Sequence, residues 1–285
     1  LTDYVNPFVG TDGYGNVYPG AQIPFGGIQI SPDTDSRFYD AASGYKYNHL
    51  TLMGFSLTHL SGTGIPDLGD FLFIPGTGEM KLEPGTHEDP DQGYRSRYSH
   101  DKEWASPNYY AVELADYGVK AEMTSGVRSG MFRFIYPESD NAFIMIDMNH
   151  TLWQSCEWSN LRMINDSTIT GYKLVKGWGP ERHVYFTATF SKKLTGLRFV
   201  QDKKPVIYNT SRFRSSYEAW GKNLMACISF DTKAGEEVTV KTAISAVSTD
   251  GARNNMKELD GLTFNELRAK GEALWEKELG KYTLT

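Results

Sequence analysis

Apolar residues in this chain recur in short runs that alternate with polar ones and are cut by glycine, proline or asparagine, and no stretch of helical period appears before about residue 250. Met131-Phe132-Arg133-Phe134-Ile135-Tyr136 shows the pattern. Alternation of this kind sends successive side chains to opposite faces, which suits a strand and no helix. Runs rich in β-branched and aromatic residues predict strands over 21–30, 50–60, 70–75, 109–115, 120–125, 127–136, 142–148, 168–175, 184–191, 205–208, 224–231 and 237–247. Tyr117-Gly118 falls between two of them and reads as a hairpin turn. Many short strands with regular turns specify an all-β fold, a large antiparallel β-sandwich. At 285 residues the chain can bury a sizeable core as one large or two smaller domains.

The end of the chain changes in kind. Thr263-Phe264-Asn265-Glu266 is a capping box, with Leu262 and Leu267 placed as the accompanying hydrophobic staple. Phe264, Leu267, Gly271, Leu274, Trp275, Glu278 and Tyr282 follow at helical spacing, opposite Arg268, Lys270, Glu272, Glu276 and Lys277. This predicts a β-sandwich over 1–250 and an amphipathic helical segment over 251–285.

Net charge is −6 with no concentrated basic tract, which makes nucleic acid and anionic membrane poor partners. No apolar stretch approaches the length of a membrane span. The chain starts at Leu1, which fits a trimmed chain or one whose signal was removed. Cys156 and Cys227 are expected as buried free thiols. Asn149, Asn165 and Asn209 open glycosylation triplets, which occur often by chance.

The common catalytic signatures, His-Glu-x-x-His, Gly-x-Ser-x-Gly and the P-loop, are absent. Asp33-Thr34-Asp35 begins like a calcium loop but lacks the glycine and terminal glutamate. The six histidines show no ligand pairing and read as hydrogen-bonded structural residues. Two segments stand out instead. Residues 6–34 interleave Pro7, Gly10, Gly13, Gly15, Pro19 and Gly20 with Phe8, Tyr14 and Tyr18, a composition that builds shaped loops. Residues 58–70 place His59, Ser61, Gly62, Thr63, Gly64, Asp67 and Asp70 after an apolar run. Planar acceptors and short hydroxyls of this kind recognise sugar hydroxyls, and they equally build turns with internal hydrogen bonds. Tyr14, Asn16 and Tyr18 join them as candidate substrate-binding residues. Trp153, Glu157, Trp158 and Trp178 form a third group, read here as packing between sheets rather than a sugar platform.

The stretches NPFVGTDGYGNVYPGAQIPFGGIQISPDT and FSLTHLSGTGIPDLGDFLFIP, with GWGPERHVYFTATFS further on, resemble the N-terminal domain of glycoside hydrolase family 92 α-mannosidases over nearly the whole chain. The resemblance implies a galactose-mutarotase-like supersandwich whose terminal helix links to an (α/α)6 catalytic domain. It implies an exo-acting, calcium-dependent, inverting enzyme that removes mannose from glycans, secreted, periplasmic or displayed at the cell surface. In that family the acid, the base and the calcium ligands come from the helical domain, so no catalytic residue and no calcium site is expected in this chain. Its partners would be a mannose-containing glycan and that helical domain. The family's Gly-rich turn often carries histidines where this chain has Gly13-Tyr14-Gly15-Asn16, and Ile65-Pro66 also sits at a variable place, so the mannosidic linkage stays open. Two other readings compete: a self-sufficient carbohydrate-binding module, and a mutarotase-like enzyme needing His183 or His59 beside Glu181 or Asp67.

Overall fold

A computed structural model of the chain describes residues 1–36, 41–207 and 218–282. In chain order the strands are β1 (Ser31–Asp33), β2 (Thr51–Leu52), β3 (Gly54–Ser56), β4 (Leu72–Thr77), β5 (Ser96–Arg97) and β6 (Glu103–Ser106). Then come β7 (Tyr109–Leu114), β8 (Val119–Ser125), β9 (Ser129–Tyr136), β10 (Ser139–Asp147), β11 (Ser155–Asn165) and β12 (Thr168–Lys176). The last are β13 (Arg182–Phe190), β14 (Gly196–Gln201), β15 (Lys204–Pro205), β16 (Glu218–Gly221), β17 (Leu224–Thr232) and β18 (Glu236–Ser245). Two helices follow, α1 (Thr249–Met256) and α2 (Phe264–Leu279).

Among the described residues a seven-stranded sheet runs β1-β3-β4-β10-β17-β14-β15 and a nine-stranded sheet runs β16-β11-β12-β13-β18-β9-β8-β7-β6. Pairing within them is antiparallel, and β2 with β5 forms a small separate ribbon. The inward residues of the two sheets meet in one core. Phe73 of the smaller sheet lies 4.9 Å, centroid to centroid, from Phe132 of the larger, and Phe71 lies 4.5 Å from Phe186. The alternation read from 127–136 is thereby explained: Phe132 and Phe134 are core residues, while Arg133 and Ile135 face outward and are less buried. The unbroken apolar run in β10 has a different cause. Ile144 and Ile146 join the central core, whereas Phe143 and Met145 pack with Tyr94 and Cys227 in a second cluster on the other face.

Several expectations need correction. Residues 21–30 form no strand; Ala21 and Ile30 make one isolated bridge, and Phe25 stands exposed at φ 61° in a turn between them. Residues 50–60 divide into β2 and β3. The longest strand, β11, was not foreseen, and the segment read as one helical stretch from residue 251 divides into α1 and α2. Tyr208, at the end of one predicted strand, and the Asn209 triplet lie outside the described residues. Both cysteines are buried and free, as expected.

Helix α2 begins as its sequence demands, with Thr263 accepting from the Glu266 backbone and the Glu266 carboxylate accepting from the Thr263 backbone. Phe264 and Leu267 are buried with Tyr109, Ala111 and Met131 of the larger sheet. The predicted apolar face opens further along: Leu274 is 43% and Tyr282 80% exposed. Trp275 Nε1 donates to the Gln22 carbonyl at 2.6 Å, and Glu276 accepts from the N-terminal amine and Thr2 at 2.6 Å. The helix thus returns to the loops that open the chain.

Candidate functional site

The two loop segments singled out in the sequence meet at one end of the sandwich. The Asn16 carbonyl joins them, accepting from the Gly62 amide at 2.6 Å and from Ser43 Oγ at 2.6 Å. Gly62 holds φ +80°, where any side chain would be strained. Lys46 Nζ donates to the Gly13 carbonyl and closes the first loop from beneath.

Below these loops lies a buried polar network. Asp33, at the end of β1, accepts from His59 Nε2 on Oδ1 and from His150 Nε2 on Oδ2, both at 2.7 Å. His59 Nδ1 in turn faces the Gln29 carbonyl at 2.8 Å. Burial alone would raise the Asp33 pKa, but the His59 charge and hydrogen bonds from both histidines hold it well below the usual carboxylate range. Gly44 is required here, because a Cβ on it would stand 2.1 Å from Asp33 Oδ1. The second carboxylate, Asp70, is fully buried against Arg182, which binds it through two nitrogens at 2.6 and 3.1 Å. Lys173 Nζ lies 3.1 Å from Asp70 Oδ1 and Thr58 Oγ1 donates to Oδ2 at 2.7 Å. Burial again pushes this carboxyl up, and the Lys173 and Arg182 charges outweigh it and hold it low. His150 connects the halves, since its backbone carbonyl accepts from Lys173 Nζ at 2.6 Å. The network ties together β1, the loop after β3, the loop after β10, β12 and β13.

The ten predicted residues separate by depth. His59 and Asp70 are buried, with their polar atoms committed to protein partners, so they position the loops rather than face solvent. Asp67 is buried and accepts from the Leu68 amide at 2.7 Å. Tyr18 packs its ring 5.1 Å from that of His59 and donates its hydroxyl to Gln22 Oε1. Asn16 and Thr63 are half-buried, while Tyr14, Ser61, Gly62 and Gly64 are exposed on the rim. Tyr18 and Ser61 share a cleft of about 190 Å³ with Pro7, Gln22, Trp275 and Leu279. A larger cleft of about 620 Å³ opens beside His150, bordered by Asp147, Trp153 and Gln154. Gln154 links it to the loop cluster by donating to the Pro66 carbonyl at 2.8 Å.

Asp33, His150, Lys173 and Arg182 were missed as members of this site. One signal was available: Lys173 occupies an inward position of β12, between Gly171 and Val175, where a lysine needs a buried anion. The packing reading of the tryptophans is overturned, because Trp153, Trp158 and Trp178 are 58, 46 and 66% exposed. Glu157 is paired with Lys222 at 3.1 Å. The mutarotase-like pairs do not form; His59 holds Asp33, and His183 Nδ1 faces the Tyr172 hydroxyl at 3.1 Å. Both oxygens of Asp33, whose surrounding sequence begins like a calcium loop without completing one, are taken by histidines.

The profile of the glycosyl hydrolase family 92 N-terminal domain matches residues 4–245. The chain belongs to this family. Among solved structures, the family 92 glycosyl hydrolase ccman5 superposes with a TM-score of 0.84 at 26% identity, covering 100% of this chain and 38% of that one. A family 92 inverting mannosidase of Bacteroides thetaiotaomicron gives 0.80 at 24% identity, covering 98% of this chain and 36% of that one, a likeness of fold. A curated relative from Arthroderma benhamiae, described as an uncharacterized secreted glycosidase, is 26% identical over 99% of this chain and 38% of its own length. The chain therefore spans somewhat over a third of the length of these relatives. The β-sandwich they share with it is the family's N-terminal domain, and the loop cluster lies wholly within the matched residues.

Proposed function

We propose that this chain is the substrate-shaping N-terminal domain of an α-mannosidase that removes terminal α-linked mannose from glycans with inversion. In this reading residues 1–250 form the sandwich, residues 251–285 lead toward an (α/α)6 catalytic domain, and the chain by itself is inactive. An inverting glycosidase needs one carboxylic acid to protonate the leaving oxygen and a carboxylate to activate water, about 6.5–9.5 Å apart. Asp33 and Asp70 are unsuited to either role, being buried, ionised and saturated with partners. The observation that carries the reading is the network under the loops. It anchors His59 and Asp70 beneath the rim, while the rim is tied together by its own bonds from the Gly62 amide to the Asn16 carbonyl and from the Tyr18 hydroxyl to Gln22. The cleft at Tyr18 and Ser61, about 190 Å³, is smaller than the roughly 300–1,000 Å³ of complete ligand sites, in keeping with a partial site.

Among the described residues no group of three or more His, Cys, Asp or Glu is arranged to hold a metal ion. We propose that the calcium implied by the family is held by ligands outside this chain. Localisation is proposed as secreted, periplasmic or cell-surface, in line with the relative described as secreted, and no described helix is long and apolar enough to cross a membrane. The test is made in an enzyme as long as the family 92 relatives. Asn16→Ala and Ser61→Ala should lower kcat/KM on α-mannobiosides roughly tenfold, about 1.4 kcal/mol, with unfolding midpoints unchanged. Unaltered kinetics in both variants would remove the loops from the substrate site.

A further inference from the structure

The outer face of the nine-stranded sheet is covered unevenly. Helix α1 packs on β18 and β13, and α2 packs on β8 and β9, but β11 and β16 carry no described helix. A groove of about 810 Å³ remains there, bounded on one side by Asp250 and Arg253 of α1. Its floor follows from register. Trp220 pairs with Asn160, Asn160 with Tyr172 and Tyr172 with Tyr185, so four outward side chains form one row across four strands. Neighbouring strands lie about 4.8 Å apart, which sets the Trp220 and Tyr172 rings roughly 10 Å apart, a spacing suited to every second pyranose ring of an extended sugar chain.

We propose that this row is a second carbohydrate site, which holds a neutral oligosaccharide away from the loop end. Along it the Asn160 amide separates the Trp220 ring from the Tyr172 and Tyr185 rings, a mixture that suits the apolar C–H faces and hydroxyl edges of a sugar chain. The rings are held in place: Tyr172 lies 4.9 Å from Tyr185 and stacks on His183 at 5.8 Å and 20°. Asn160 is oriented by donating to Glu218 Oε1 and the Ala219 carbonyl at 3.3 and 3.1 Å. Trp220 is 54% exposed, leaving a ring face for a ligand. Charge selects a neutral occupant, because Arg162 opposes Glu218 in the ladder and Arg253 is paired with Asp250 at 2.7 Å. A nucleic acid would need an excess of cations, and a protein partner a continuous apolar patch that Arg162, Glu218, Asp250 and Arg253 interrupt.

The existence of the site stands on the groove; mannose as its sugar rests on the function proposed above. The test is electrophoresis of the 285-residue chain through native gels containing yeast α-mannan, dextran or xylan. Mannan should retard the chain, and Trp220→Ala and Arg162→Ala should each weaken retardation, Trp220→Ala by roughly tenfold in Kd. Both residues are exposed, so circular dichroism and unfolding midpoint should not change, and Trp104→Ala, at the opposite edge of the sheet, should migrate like the parent. Retardation by dextran or xylan alone, lost in Trp220→Ala, would keep the site and count against the mannosidase reading. No retardation by any polysaccharide, or full retardation of Trp220→Ala, would overturn the site. So would a protein as long as the relatives that escapes mannan while the shorter chain is held, since that assigns the face to an internal contact.

Discussion

The loop end of the sandwich and the outer face of its larger sheet are both rich in rings and polar groups, and they dispose of them in opposite ways. At the loop end Asp33 and Asp70 are buried, and every oxygen meets a cation or a donor from another segment. On the outer face Trp220 is more than half exposed, and Tyr172 and Tyr185 lean on each other and on His183. A charge removed from water must be fully answered or it destabilises the fold, whereas an exposed ring is free to meet a ligand. The first region is therefore a rigid mount for loops and the second an open surface. Perturbing the two should have unequal effects on stability.

The largest effect is expected from Asp70→Asn, which leaves Lys173 and Arg182 without their anion and should lower unfolding stability by about 3–5 kcal/mol. Urea denaturation measures it, and a loss below about 1 kcal/mol would mean that the network does not anchor the loops. Next, Gly44→Ala forces a left-handed alanine against Asp33 and should lose about 1–3 kcal/mol in the same assay. The pH dependence has a definite sign. The folded-state pKa values of Asp33 and Asp70 lie below the unfolded value near 3.9, so their contribution is complete above about pH 5. As the pH falls through about 4 toward the folded values, the unfolded chain takes up protons first and stability drops. The acid limb should steepen by up to about 1.4 kcal/mol per pH unit for each carboxyl, and Asp70→Asn should flatten it. Thr263→Ala breaks the α2 capping box and should lose about 1 kcal/mol. Smallest of all, Trp220→Ala should stay within about 0.5 kcal/mol of the parent; a larger loss would show that the outer face is structural after all.

What the sequence revealed follows the same division. Strands buried on one or both faces were legible, because burial writes alternation or an unbroken apolar run into β7, β8, β9 and β10. Strand β11 escaped because its outward positions carry Trp158, Asn160, Arg162 and Ile164, a mixture with no clear apolar period. Helix α1 fell within the segment read as helical but was not told apart from α2, because Ala252 is its sole buried residue and it leaves almost no amphipathic trace. Both halves of the loop cluster were legible from density of glycine, proline and hydroxyl residues. The partners of His59 and Asp70 were not, since Asp33, His150, Lys173 and Arg182 come from distant segments and only the sheet registers bring them together.

The division of labour at the centre of this account is tested most directly by mannose release from α-linked mannobiosides by the 285-residue chain, with millimolar calcium and again with chelator. The account predicts no turnover in either condition, and turnover once the remainder of a full-length family 92 enzyme is supplied separately. Calcium-dependent release by the chain alone would place the acid, the base and the metal ligands within these residues and would contradict it.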